Sequence, residues 1–468
     1  MITKNSHGAR RNLTGKRSLY HYFGVNTRSG HANLRYSYQE AAGKEPPRRS
    51  ATVLHRLQDF LNNNILAWFI HNWRVRKHYE YPVGVGDEVI YTISEEAGTD
   101  ITMGVAADWA SFTPQSAYVG MRMNEKNFQY TIHLGDTYYS GQDKELADNF
   151  GAGINDFGYW PRGSKGCFAL AGNHEMFSSG QAWLDMVRAP YRGFGMRIPG
   201  TGSFTGQPAP FFCFLTESWC VLGLDTGYQS LTRAFLRFNP DNASLNFPDE
   251  MMNWLIRFVK PKIQNRGIVV LTHHQYISAF KNETEYVNPA KQLTQLTDKE
   301  ILWIWGHEHR FSMYGKYCKG DGYIAAYGRC IGNGGMPDEH TEGRKVDPDK
   351  IKSRNLVLYD YCVADKIVFN DGEDGEPVRS EDFGSNGYAA LTIRGENLAI
   401  EYYSCYGNGQ DHSLDKDDIV LKERWRYDPD AAKIVFMHAE DLAMQTTHKM
   451  SYPTGVNDPG GIGNSNTA

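Results

Sequence analysis

The chain is poor in cysteine: seven in 468 residues, an odd number, scattered from Cys167 to Cys405 with no CxxC pair. That argues against a disulfide framework and a zinc ribbon, and leaves most of the thiols as small buried hydrophobes. Behind Met1-Ile2-Thr3-Lys4-Asn5-Ser6-His7 there is no apolar signal core, so no secretory segment is visible and cytoplasmic residence is the expectation. No uninterrupted apolar run approaches membrane-spanning length. A Gly-x-Ser-x-Gly elbow is also missing, so nothing suggests a covalent nucleophile. Net charge is low, at −5, but uneven: residues 1–80 carry 14 Lys/Arg against 4 Asp/Glu, a balance of +10 that leaves −15 for the remainder. An acidic main part argues against an obligate nucleic-acid partner.

What is present is a large core. Hydrophobic residues make up 41% and aromatics 13%, which excludes global disorder. Residues 1–50 are basic, polar and irregular. Within 51–99, Leu54, Leu57, Leu61, Ile65 and Trp68 repeat at helical spacing, followed by a strand over 88–93. A main domain is expected over 100–427, alternating strands and helices at first, with a helix starting near Pro248-Asp249-Glu250. It then turns to β, with a short strand over 323–326 and a hairpin over 388–403 around Gly395. Residues 428–468 form an extension whose end, 457–464, is low in complexity. The sequence does not set the oligomeric state.

Five apolar runs each stop on a side chain able to bind metal. Val105-Ala106-Ala107 ends on Asp108, and Tyr130-Thr131-Ile132-His133-Leu134-Gly135 on Asp136. Phe168 to Gly172 ends on Asn173-His174-Glu175, Ile268 to Thr272 on His273-His274, and Ile301 to Gly306 on His307-Glu308-His309. Carboxyl ends of strands are where α/β sheets place their sites. Two cations about 3.5–4 Å apart need a shared anionic bridge, terminal ligands and an open edge. Asp136 suits the bridge because a carboxylate offers two oxygens, and the imidazoles suit iron, zinc or manganese. Because one residue separates His307 and His309, a tight loop can aim them at different ions. His133 reads as a satisfied strand histidine, and either member of the 273–274 pair can be the ligand.

In order and spacing these motifs resemble the calcineurin-like metallophosphoesterase superfamily. The resemblance implies an α/β (α+β) fold, a four-layer sandwich of two mixed sheets flanked by helices, here with an N-terminal helical extension. Asp108-Trp109-Ala110 lacks the second ligand common at the first motif. Instead Gly135-Asp136-Thr137-Tyr138-Tyr139 is similar to the Gly-Asp-x-x-Tyr of purple acid phosphatases, and Gly332-Asn333-Gly334-Gly335 to their tartrate-resistant branch. Carried over, one ion takes Asp108, Asp136, Tyr139 and His309, and the other Asp136, Asn173, His273 and His307. Two carboxylates, a phenolate and a hydroxide against iron(III) and a divalent ion (Fe, Zn or Mn) leave one positive charge to attract phosphate.

The resemblance further implies direct attack of a bridging hydroxide on a phosphate ester. His174 would protonate the leaving group, His274 would stand beside it as a second catalytic histidine, and Glu175 would orient a histidine. Arg310, beside the His pair, is the expected phosphate contact. Arg188, Arg192 and Arg197 among the aromatics of 177–212 are a second basic group. A phosphomonoesterase is the leading reading; a diesterase with the same site and a binding protein with a relic site are the alternatives.

Overall fold

The computed structural model describes residues 78–96, 99–111, 114–138, 140–151, 159–230, 245–281, 283–336, 346–359, 386–406 and 416–441. The basic region 1–50, the helix expected over 51–77 and the tail expected over 457–464 lie outside the described residues.

The early strands are β1 (Ile90–Thr92), β2 (Ile101–Ala106), β3 (Tyr130–His133), β4 (Gly166–Ala169) and β5 (Gly195–Met196). Next come β6 (Phe212–Leu215), β7 (Trp219–Gly223), β8 (Gly267–Leu271) and β9 (Ile301–Trp305). The late strands are β10 (Phe311–Tyr317), β11 (Ala326–Ile331), β12 (Leu356–Tyr359), β13 (Asn386–Arg394), β14 (Asn397–Tyr406), β15 (Lys416–Asp428) and β16 (Lys433–Asp441). They form two eight-stranded sheets, in the orders β1-β6-β7-β8-β9-β11-β10-β12 and β16-β15-β14-β13-β2-β3-β4-β5. Both are mixed: β2, β3 and β4 run parallel in one and β7, β8 and β9 in the other, while the hairpins are antiparallel.

Parallel strands covered on both faces need apolar side chains throughout, and Gly-Ile-Val-Val-Leu in β8 and Ile-Leu-Trp-Ile-Trp in β9 are buried at every position. One face of each sheet meets the other sheet around Met103, Val105, Ile132, Phe214, Val269 and Ile304. Behind the first sheet, Trp254 and Leu255 pack on Val270 and Trp303. Behind the second, helices α1 (Pro114–Lys126), α2 (Asp143–Phe150), α3 (Asn173–Met176) and α4 (Gln181–Arg188) cover it, with Met123, Phe150 and Trp183 in one cluster. The result is a four-layer α/β sandwich, two mixed sheets flanked by helices. One charged pair crosses its middle. Arg329 on β11 meets Glu423 on β15 through Nε–Oε1 at 2.9 Å and Nη2–Oε2 at 2.7 Å.

Several local expectations meet the structure directly. The hairpin turns at Gly395-Glu396 between Arg394 and Asn397, and helix α5 (Asp249–Trp254) starts after Pro248. The short strand placed over 323–326 instead begins at Ala326, because the Tyr323 amide is spent in a turn to Gly320 and that of Ile324 on Ala290. Sheet pairing also runs beyond 100–427 at both ends: β1 pairs with β6, and β16 pairs with β15. Of the cysteines among the described residues, Cys167, Cys213, Cys220, Cys330 and Cys405 are buried and Cys318 is exposed.

Candidate metal centre

Neighbouring parallel strands deliver their following loops to one place. Past the strand ends the ladder continues, with Leu134 N donating to Ala106 O (2.9 Å), Asp108 N to Gly135 O (3.1 Å) and Leu170 N to His133 O (2.8 Å). In the other sheet Thr272 N donates to Ile304 O and Gly306 N to His273 O, each at 3.0 Å. Asp108, Asp136, His307 and His309 all adopt positive φ, at 55°, 69°, 68° and 44°. Such backbone costs about 1–3 kcal/mol per residue and gathers at functional sites. Gly172 serves by absence: a Cβ there would strike Asp136 Oδ1 and come within 2.8 Å of His273 Cε1.

The side chains fall into two groups that share Asp136. In the first, Tyr138 Oη lies 2.7 Å from Asp108 Oδ1, 3.2 Å from Asp136 Oδ2 and 2.6 Å from His309 Nε2. Asp108, Asp136 and His309 have ligand atoms within 4.8 Å of one another. In the second, His273 Nε2 lies 3.1 Å from Asn173 Oδ1 and 3.3 Å from Asp136 Oδ1. His273, His274 and His307 also satisfy the 4.8 Å condition. His307 and His309 thus point into different groups although one residue separates them.

The donor chemistry fits cations. His273 Nδ1 is 3.0 Å from the Leu134 carbonyl, which can only accept, so Nδ1 carries a proton and Nε2 faces two oxygens. That convergence is stable only around positive charge, supplied by a second proton on His273 or by a metal ion. Accordingly, against burial, Asp136 raises His273 to about 9. Against the same burial, His273 and His174 hold Asp136 well below the usual carboxylate range. Burial and His273 lower His307 to about 3, and burial and His307 hold His274 well below the ordinary imidazole value, so both stay neutral and able to bind metal.

The surrounding residues orient this set. Glu175 is buried, and its Oε2 accepts from Gly172 N (2.8 Å) and Asp136 N (3.2 Å); burial and Asp136 raise it to about 7. It therefore braces the two loops that carry Asp136 and Asn173. His174 stands at the opening with its side chain 20% exposed, Nε2 3.7 Å from Asp136 Oδ2 and its ring 4.9 Å from that of Phe177. His133 is buried among Trp109, Phe150 and Trp160, and its Nδ1 accepts from Gly135 N at 3.2 Å. Its Nε2 has no hydrogen-bond partner, so the strand histidine expected to be satisfied is only half so.

Other expected site residues stand apart. Arg310 is 1% exposed, stacked 3.8 Å over Phe280, with Nε donating to Glu308 O (3.0 Å). A substrate phosphate would have to displace that packing to reach it. The contacts of Arg188, Arg192 and Arg197 are with Pro208, Tyr191 and Phe204. Tyr139 lies outside the described residues.

Two groups near the centre were not anticipated. Tyr138 is the neighbour of the tyrosine the motif pointed to. Thr226 Oγ1 accepts from His274 N and meets His274 Nδ1, both at 3.0 Å. Its signal was available: Val221-Leu222-Gly223-Leu224 is a sixth apolar run that ends on a carboxylate, Asp225.

Residues 111–311 match the family model described as calcineurin-like phosphoesterase. No curated protein matches in sequence. Among solved structures, one described as "Structure of PhoD" is similar at 10% identity over 74% of this chain and 73% of that chain, with a TM-score of 0.45. A likeness that slight carries no argument about activity.

Proposed function

We propose that this chain, whose residues 111–311 match the calcineurin-like phosphoesterase family model, is a two-metal phosphoesterase acting on phosphate monoesters. The observation that supports it most is the division of Asp136, whose Oδ2 faces Tyr138 at 3.2 Å and whose Oδ1 faces His273 at 3.3 Å. One carboxylate thus serves both groups, as a bridging ligand must. Asp108, Asp136, Tyr138 and His309 would hold one ion, and Asp136, Asn173, His273 and His307 the other. When bound, the ions supply Lewis acidity and make hydroxide available near neutral pH. His174 at the opening holds the proton for the departing alkoxide, and buried Glu175 keeps Asp136 and Asn173 in register. Neutral Asn173 limits negative charge where an anionic ester must approach.

The phenol in the first group favours a trivalent ion there, iron(III) beside a divalent Fe, Zn or Mn, in the manner of purple acid phosphatases. Tyr138 is the phenol this reading assigns. An iron–phenolate band in the visible spectrum is expected to vanish in Tyr138→Phe and persist in Tyr139→Phe; the opposite pattern gives the role to Tyr139. Turnover of an aryl phosphate is expected to exceed that of its bis-aryl diester. The reverse ratio would replace monoesterase by diesterase, and no turnover of either by the metal-loaded protein would reject the proposal.

A further inference from the structure

The segment His78–Tyr81 precedes the stretch that matches the family, yet it is tied to both loops that flank the second metal group. Tyr79 is 3% exposed, and its amide donates to Ser179 O (3.0 Å), just past the short helix α3 that carries Asn173 and His174. Its hydroxyl donates to Asp225 Oδ2 (3.3 Å), and its carbonyl accepts from Tyr228 Oη (3.2 Å). The Tyr79 ring also lies where a Cβ on Gly180 would meet it at 2.8 Å, so strap and loop are in direct contact. Tyr81 packs beside it, 4.6 Å from the Tyr228 ring.

Asp225 in turn shapes the turn that holds His274. It is buried, and Oδ1 accepts from Gly227 N (2.8 Å) and Tyr228 N (3.1 Å). That folds the turn back so that Thr226 Oγ1 meets both the amide and Nδ1 of His274, whose ring packs 4.8 Å from that of His273 and 4.6 Å from that of His307, two of the ligands assigned to the second ion. The same turn presses Gly227 on the backbone before Asn173, since a Cβ there would lie 2.6 Å from Ala171 O and 2.7 Å from Gly172 O. A single buried turn therefore touches both sides of the second metal group, and Tyr79 clasps it from outside the matched stretch.

We propose that the Asp225–Thr226 turn, clasped by Tyr79, positions the second metal group, so that the strap His78–Tyr81 is a working part of the active site. Thr226, Asp225 and Tyr79 act here as positioning residues. The inference rests on the two-metal reading above. Groups that orient metal ligands typically change affinity or activity by about 10–100-fold when removed.

The test uses the full chain loaded with manganese(II), with metal content per chain and manganese affinity measured beside kcat and KM on an aryl phosphate. Thr226→Val is expected to weaken the more labile of two bound ions by about 10–100-fold, and to lower kcat more than it raises KM. The other ion stays bound, and Thr226→Ser, which keeps the hydroxyl, restores the labile one. Tyr79→Phe is expected to shift the same ion in the same direction by a smaller factor. Unchanged affinity and kcat in Thr226→Val overturn the inference while the two-metal reading stands. Loss of both ions together with a lower melting temperature of the chelated protein, not rescued by Thr226→Ser, overturns it as well, since the turn would then be a general prop. A wild-type chain that binds no manganese overturns the underlying reading and the inference with it.

Discussion

Exchanging Glu423 for glutamine should destabilise the protein in a way that only a charge sealed between the two sheets can explain. Glu423 and Arg329 are fully buried in side chain to within 2%, and their two hydrogen bonds of 2.9 and 2.7 Å join β15 of one sheet to β11 of the other. Tyr402 Oη adds a 2.6 Å bond to Glu423 Oε1, and Arg329 Nη1 donates to Tyr314 O (2.6 Å) and Gly328 O (2.7 Å). Glu423→Gln preserves shape and leaves an acceptor for Tyr402, so nearly all of its effect is the uncompensated guanidinium. Removing one partner of a buried pair costs about 3–5 kcal/mol. For a chain of this length that is a fall in Tm of roughly 3–5 °C. The double change Arg329→Met with Glu423→Leu removes both charges and should lie within about 1–2 kcal/mol of the wild type. Thermal and urea unfolding of the three proteins measures this. A Glu423→Gln protein as stable as the wild type would mean that water reaches the pair and that the sheets are not joined as described; a double variant worse than the single would refute the desolvation argument.

Further outcomes follow from the site. Gly172→Ala puts a methyl against Asp136 and His273, and should cut kcat by about 100-fold or more with little change in the melting temperature of the chelated protein. His174→Gln should lower kcat by about 10²–10⁴-fold on an alkyl phosphate with a basic leaving group, and by much less on a nitrophenyl ester, whose leaving group needs no proton; equal losses would deny His174 that role. For the chelated protein, His273 sits at about 9 in the fold against an ordinary value near 6.5. A raised histidine stabilises fully below the ordinary value and less as pH climbs through the folded one, so about 3 kcal/mol should disappear between roughly pH 6.5 and 9. Asp136→Asn should flatten that slope; a flat wild-type profile would show that the proton is not held there.

The strand ends were legible because burial on both faces of a parallel sheet forces unbroken apolar runs, and such runs end abruptly on Asp108, Asp136, Asn173, His273 and His307. The loop dihedrals were not legible. That Tyr138 turns toward Asp108 and Asp136 follows the left-handed backbone at Asp136, which side-chain order alone does not set. Adjacency to His309 does not by itself set where the Arg310 guanidinium lies: it is buried and stacked over Phe280. The run ending at Asp225 has the same form as the other five, but aspartate-threonine lacks the look of a ligand pair. Its role depends on contacts with His274 and Tyr79, far away in the chain. Strand β16 is hard to read from sequence because Lys433–Asp441 mixes charge with apolar residues, as a partly exposed edge strand does.

The most direct measurement is the metal content of freshly purified protein taken together with hydrolysis of an aryl phosphate before and after chelation. Two ions per chain are predicted, with hydrolysis that falls as they are removed and returns as they are restored, and neither in Asp136→Ala. Hydrolysis that survives the loss of both ions, or a metal-supplemented chain that retains none, would contradict the account.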